Sequence, residues 1–149
     1  MKQEPDVKII FLDVDGVLNT VRDYRLFGHG YINNQYVALL AYVVKHTGAR
    51  IVLASNWRLL DRDQSLVEEA LSLHNLEIFD VTPTLEPEVD GEHVFRHKEI
   101  QWWLDNHTPD KFAILDDDSR ANIGVSFFQT DETIGLTHEI ANQVIAHLT

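Results

Sequence analysis

The chain has 149 residues, with 12 Lys+Arg against 24 Asp+Glu and a formal charge of −12 at pH 7. So acidic a surface excludes grip on a long polyanion through the whole surface, leaving a local basic patch, bound metal or contact with a small part of a substrate. With no cysteine the chain has no disulfide, thiolate metal site or thiol nucleophile; a single domain over residues 1–149 in the cytoplasm is expected.

The opening MKQEPDVKIIFLDVDG has a short apolar run soon broken by aspartates, too short and too acidic for a signal peptide or a membrane span. Within it, residues 7–12 (VKIIFL) are nearly all apolar and rich in β-branched side chains, as expected of a strand covered on both faces. Residues 16–32 hold Gly16, Gly28 and Gly30 and aromatics without helical spacing, which reads as a loop or small hairpin. Over 34–46, Val37, Leu40, Ala41 and Val44 recur at helical spacing and Gly48 stops the helix. Residues 50–54 (RIVLA) form a second buried strand. Asp61 with Gln64 resembles a capping box opening a helix to about residue 73, and 77–81 reads as a short strand.

Residues 82–92 carry Pro83, Pro87, Gly91 and four acids, a loop signal. Ile100, Trp103 and Leu104 mark a helix that ends before Pro109. Residues 111–115 (KFAIL) and 125–129 (VSFFQ) are strands, and a last helix follows Thr137. Alternating strands and helices predict an α/β three-layer sandwich with a mainly parallel sheet.

With the strands placed, polar residues gather at their carboxyl ends, the ligand crevice of open parallel sheets. Asp13 and Asp15 follow the first strand, Ser55 the second, and Asp116, Asp117 and Asp118 the strand at 111–115. In extended chain, residues two apart point to one side. Grouping Asp13, Asp15 and Asp116 or Asp117 would be repulsive without a cation, and oxygen-only ligands suit Mg²⁺. Such a set is a phosphoryl-transfer kit. Metal and a Lys or Arg neutralise phosphoryl oxygens, Asp13 attacks to form an aspartyl-phosphate, and Asp15 serves as acid and then base. Gly16 permits a sharp turn after the pair.

FLDVDGVLN at 11–19, VLASNW at 52–57 and AILDDD at 113–118 resemble, in order, the first, second and fourth motifs of the haloacid dehalogenase (HAD) superfamily. For the third motif, a Lys or Arg near a helix start, Arg96 and Lys98 both qualify in FRHKEIQWWL, Arg96 first. The S-x-W-R form of the second motif and R-x-x-E-I-x-x-W-L are similar to a small capless group associated with nucleic-acid repair proteins and polynucleotide phosphatases. The resemblance implies no separate cap domain and an open site for a phosphate on a large substrate, a nucleic-acid 3′ or 5′ end first. It also implies that the Ser55 hydroxyl and Asn56 amide hold a phosphoryl oxygen, although Ala54 and Asn56 depart from many relatives.

Other readings stay open. A phosphoprotein or small-molecule phosphatase uses the same kit. A receiver-like signalling domain would carry a long-lived phosphoryl group, and a nuclease or primase-type DxD site would need a glutamate-bearing strand before the DxD. Arg58 is either a surface arginine or a phosphate clamp beside Ser55. Arg22 and Arg25 lie where a substrate-facing flap would be, though two solvated arginines explain them. Among the tryptophans, Trp57 is the one to test for substrate contact and Trp103 fits the core. Asp118 is expected to be structural. His93 and His97 are spaced i, i+4 without a third ligand, and the acidic stretch 86–92 reads as a solvated loop.

Overall fold

The apolar run that opens the chain becomes the centre of a sheet. The computed structural model describes residues 4–85 and 96–149; His93 and the acidic stretch 86–92 lie outside the described residues. Five strands, β1 (Glu4–Leu12), β2 (Arg50–Leu53), β3 (Ile78–Val81), β4 (Pro109–Asp116) and β5 (Phe127–Gln129), pair in the order β3-β2-β1-β4-β5. All the pairings are parallel, and Leu12 lies beside both Leu53 and Leu115.

Parallel strands need helical crossovers, which cover both faces of the sheet. Ile10, Leu12, Ile51, Leu53 and Leu115 point to one face, with buried residues of α2 (Asn34–Thr47), α3 (Asp61–Ser72) and α5 (His138–Leu148). Ile9, Phe11, Val52 and Ile114 point to the other, with Ile100 and Trp103 of α4 (Arg96–His107). Trp103 meets the Phe11 ring edge-on at 5.5 Å, and its indole N–H donates to Asp80 at 2.8 Å. Burial on both faces explains why VKIIFL and RIVLA lack polar alternation. Among the described residues, no helix is long and apolar enough to cross a membrane.

From β1 the chain runs outward to β2 and β3, then returns to β4 on the other side of β1. The sheet's topological switch point therefore lies between β1 and β4, where a crevice opens beyond the strand ends. The Asp13 N–H donates to the Leu115 carbonyl at 3.0 Å, tying the two ends together there.

Two local expectations fail. Residues 16–32 include a helix, α1 (Val21–Phe27), with no buried residue of its own. Lacking an apolar stripe, it gave no periodic signal. Its signature is at its ends, where Thr20 and Asp23 form a reciprocal capping box and Gly28 stops the helix at φ +83°. Conversely, Asp61 is not a cap. It is the first residue of α3, whose N-cap is Leu60 without a side-chain hydrogen bond, and its carboxylate instead sits in the acidic first turn that the helix dipole favours.

Candidate active site

Three carboxylates meet at the switch point. Asp13 directly follows β1, Asp116 ends β4, and Asp117 comes next in the chain. Each offers an oxygen within 4.8 Å of the others'. Asp13 and Asp116 are buried. From the first residue of α4, Arg96 Nη1 reaches Asp116 Oδ2 at 2.6 Å and Asp13 Oδ1 at 3.3 Å. Among the described residues, both ion pairs into the cluster come from Arg96; Lys98, on the same turn, is half-buried.

One guanidinium does not balance three acids. Burial, then the Asp116 charge, holds the Asp13 carboxyl well above its usual range against the pull of Arg96. Burial also lifts Asp117 to about 6, despite its hydrogen bond with Asp13. Burial works against the Arg96 charge, but Asp13 and Asp116 more than reverse this and keep it protonated. A hard divalent cation such as Mg²⁺ fits this oxygen-only set, because it would relieve the crowding. Gly16 (φ +82°) closes over the cluster, and a Cβ there would fall 2.4 Å from an Asp117 oxygen.

The Asp15 carboxylate, expected beside Asp13 around the cation, is not in this group. The strand ends at Leu12, so extended alternation does not carry on to Asp15, and the chain turns at Gly16 instead. Asp15 is exposed. Its Oδ1 accepts from Asn19 Nδ2 and its Oδ2 from Trp57 Nε1, both at 3.0 Å.

Ser55 is buried beyond β2 and caps a single 3-10 turn, Asn56–Leu59, where its Oγ accepts the Trp57 N–H at 3.2 Å. The hydroxyl proton stays available to a ligand. Asn56 is exposed at the lip. Arg58 turns inward. Its side chain is 3% exposed, and its guanidinium donates to the carbonyls of Ser55, Thr82 and Pro83 at 2.9–3.0 Å and pairs with Glu99 at 3.0 Å. With those donors committed, Arg58 staples the second motif to α4. Trp57 is likewise 3% exposed and presents no open face for stacking. Asp118 caps the turn Ser119–Ala121 and pairs with Arg120, a structural role.

The family model for the HAD domain in Swiss Army Knife RNA repair proteins matches residues 9–141. The chain belongs to this family. No curated protein and no solved structure matches it. Membership fits the five-stranded parallel α/β architecture and supports a hydrolase or phosphatase activity of the HAD type.

Two residues of this HAD domain escaped the sequence reading. Asn19 is buried, accepts the Gly16 N–H at 3.0 Å, and donates to Asp15 and to the Tyr31 carbonyl. Thr130, also buried, donates its hydroxyl to the Gly16 carbonyl at 2.7 Å. Together they fix the turn that carries Asp15. Asn19 stands in the FLDVDGVLN motif, so its position was a signal; Thr130 lies 114 positions from Gly16 and gave none.

Proposed function

We propose that this domain is a Mg²⁺-dependent phosphomonoester hydrolase that forms an aspartyl-phosphate on Asp13 and acts in the cytoplasm on a phosphate at a nucleic-acid end. The observation carrying the reading is the cluster of Asp13, Asp116 and Asp117 at the switch point, with Arg96 bonded to two of the three. The family match and the cysteine-free composition support it.

In this reading Asp13, Asp116 and Asp117 would hold Mg²⁺, which would supply charge neutralisation for the phosphoryl oxygens. Arg96 adds the second positive charge, and the Ser55 hydroxyl and Asn56 amide take another phosphoryl oxygen. An Asp13 carboxylate oxygen attacks phosphorus, the phosphorus–ester oxygen bond breaks, and Asp15 gives its proton to the leaving oxygen. Asp15 then takes a proton from water. The water oxygen attacks phosphorus, the bond to Asp13 breaks, and phosphate leaves with the acids restored. The exposure of Asp15 suits contact with a leaving group outside the buried cluster.

Phosphate release with Mg²⁺ would be measured on an aryl phosphate, nucleotides, oligonucleotides phosphorylated at the 3′ or 5′ end, and phosphopeptides. Strong release from one oligonucleotide end is expected. Release from peptides or small esters alone would discard the nucleic-acid substrate, and no release from any of them would discard the hydrolase.

A further inference from the structure

Helix α1 is fixed beside the cluster yet buries nothing. Its capping box holds it from within, and the Val21 N–H bonds to the Glu132 carbonyl at 3.0 Å. A groove of about 210 Å³ runs between it and the catalytic turn, lined by Asp15, Gly16, Thr20, Tyr24, Asp117 and Glu132. The groove thus opens directly from the residues around the reacting phosphate.

The outer surface of α1 is unusual for a solvated helix. Tyr24, Leu26 and Phe27 are 57%, 62% and 59% exposed. Tyr24 and Phe27 stand three residues apart and so share a helix face. Phe27 stacks on Tyr31 with ring centroids 4.4 Å apart, extending the strip away from the groove. Arg22 and Arg25 are exposed on the same helix, and neither has an ion-pair partner among the described residues. On a chain of charge −12, two uncommitted arginines among exposed aromatics form the local basic patch that an acidic protein needs to meet a polyanion.

We infer that α1 is a stacking platform for the single-stranded nucleotides next to the reacting phosphate, with Tyr24 under the terminal base or sugar and Arg22 and Arg25 on the following backbone phosphates. This rests on the proposed phosphatase reading. Three features select the occupant. The groove's lining is mostly apolar and includes no lysine or arginine, so it receives a neutral ring rather than a second phosphate. The arginines lie outside it, where the next phosphates would pass. An extended peptide would look for backbone partners, and the helix uses its own internally. Aromatic faces with flanking cations are how single strands are held without sequence preference.

Binding of a fluorescent, unphosphorylated single strand, as RNA and as DNA, would be followed by anisotropy for the wild type, Tyr24→Ala with Phe27→Ala, and Arg22→Ala with Arg25→Ala. The aromatic side chains are exposed, so their removal leaves the core intact. The aromatic variant should bind about tenfold or more weakly. The arginine variant should lower the salt dependence by about 0.7 in log–log slope per arginine lost. On end-phosphorylated strands, the aromatic substitutions should cost at least tenfold more in kcat/KM than on an aryl phosphate. Failure of the wild type to bind either strand overturns the platform. So does strand binding that no variant weakens, or a phosphopeptide bound there instead. Strand binding through α1 together with Asp13-independent phosphate release would keep the platform and reject the catalytic reading.

Discussion

The indole N–H of Trp57 donates to Oδ2 of Asp15 at 3.0 Å, while Asn19 holds the other oxygen at the same distance. Two N–H donors on two oxygens set the direction of the carboxylate. Trp57 is itself buried against the His29 ring at 5.0 Å, and His29 bonds to the buried Asp63 at 3.2 Å. The second motif thereby positions a side chain of the first.

Trp57→Phe keeps an aromatic six-membered ring and deletes the donor. If Asp15 is the acid and base, kcat should fall about tenfold or more, as for other groups that orient a reacting residue, with little change in KM. Steady-state kinetics on one substrate decides this. A raised KM at unchanged kcat would make Trp57 a substrate contact.

Arg96 and Lys98 sit on one helical turn, and among the described residues both ion pairs into the cluster come from Arg96. Arg96→Ala should cost about a hundredfold or more in kcat, the scale for losing a preorganised charge partner in a site. Lys98→Ala should cost a few-fold at most. Equal mild losses in the two variants would mean that the third motif lies elsewhere.

The Arg58–Glu99 pair is buried, with side chains 3% and 10% exposed. Glu99→Ala leaves the guanidinium without its counter-charge, and the expected loss is about 3 kcal/mol of stability in urea unfolding, the lower end for breaking a buried pair. Arg58→Lys should also destabilise, because one ammonium cannot replace the fork on three carbonyls. KM should hold in both. A large KM increase with unchanged stability would return Arg58 to the phosphate.

The acid cluster predicts a pH signature. Asp117 keeps its proton to about 6 in the folded protein, against 3.8 ordinarily. Between those values the folded state binds more protons than the unfolded one, so this group's contribution to stability falls as pH rises through the window. Metal-free wild type should therefore melt below Asp117→Asn at pH 8, and the gap should close below about pH 4. Mg²⁺ needs ionised ligands, so at pH 8 it should raise the wild-type Tm more than that of the variant. Parallel melting curves at every pH, with and without Mg²⁺, would contradict the cluster's electrostatics.

What was legible in the sequence depended on burial and chain order. Strands covered on both faces announce themselves as unbroken apolar runs, and carboxylates directly after such runs fall at one sheet edge whatever the loops do. The α/β layering and the positions of Asp13, Ser55 and Asp116 at strand ends followed from that. Features set by local turns or distant partners did not. Asp15 left the cluster because Gly16 breaks the strand geometry. Arg58 turned inward because Glu99, 41 positions on, was waiting for it. Helix α1 was invisible to periodicity because no side chain of it is buried, though the Thr20–Asp23 cap was there to read.

Catalysis in the proposed reading turns on Asp13 carrying the phosphoryl group. The most direct measurement mixes enzyme, Mg²⁺ and a phosphorylated oligonucleotide, quenches in acid within a single turnover, and maps the phosphoryl group by peptide mass. A transient adduct on the peptide containing Asp13, formed and lost at least as fast as turnover and absent from an inactive Asp13→Asn variant, is the predicted result. Turnover with no adduct on Asp13, or by Asp13→Asn at near the wild-type rate, would contradict it.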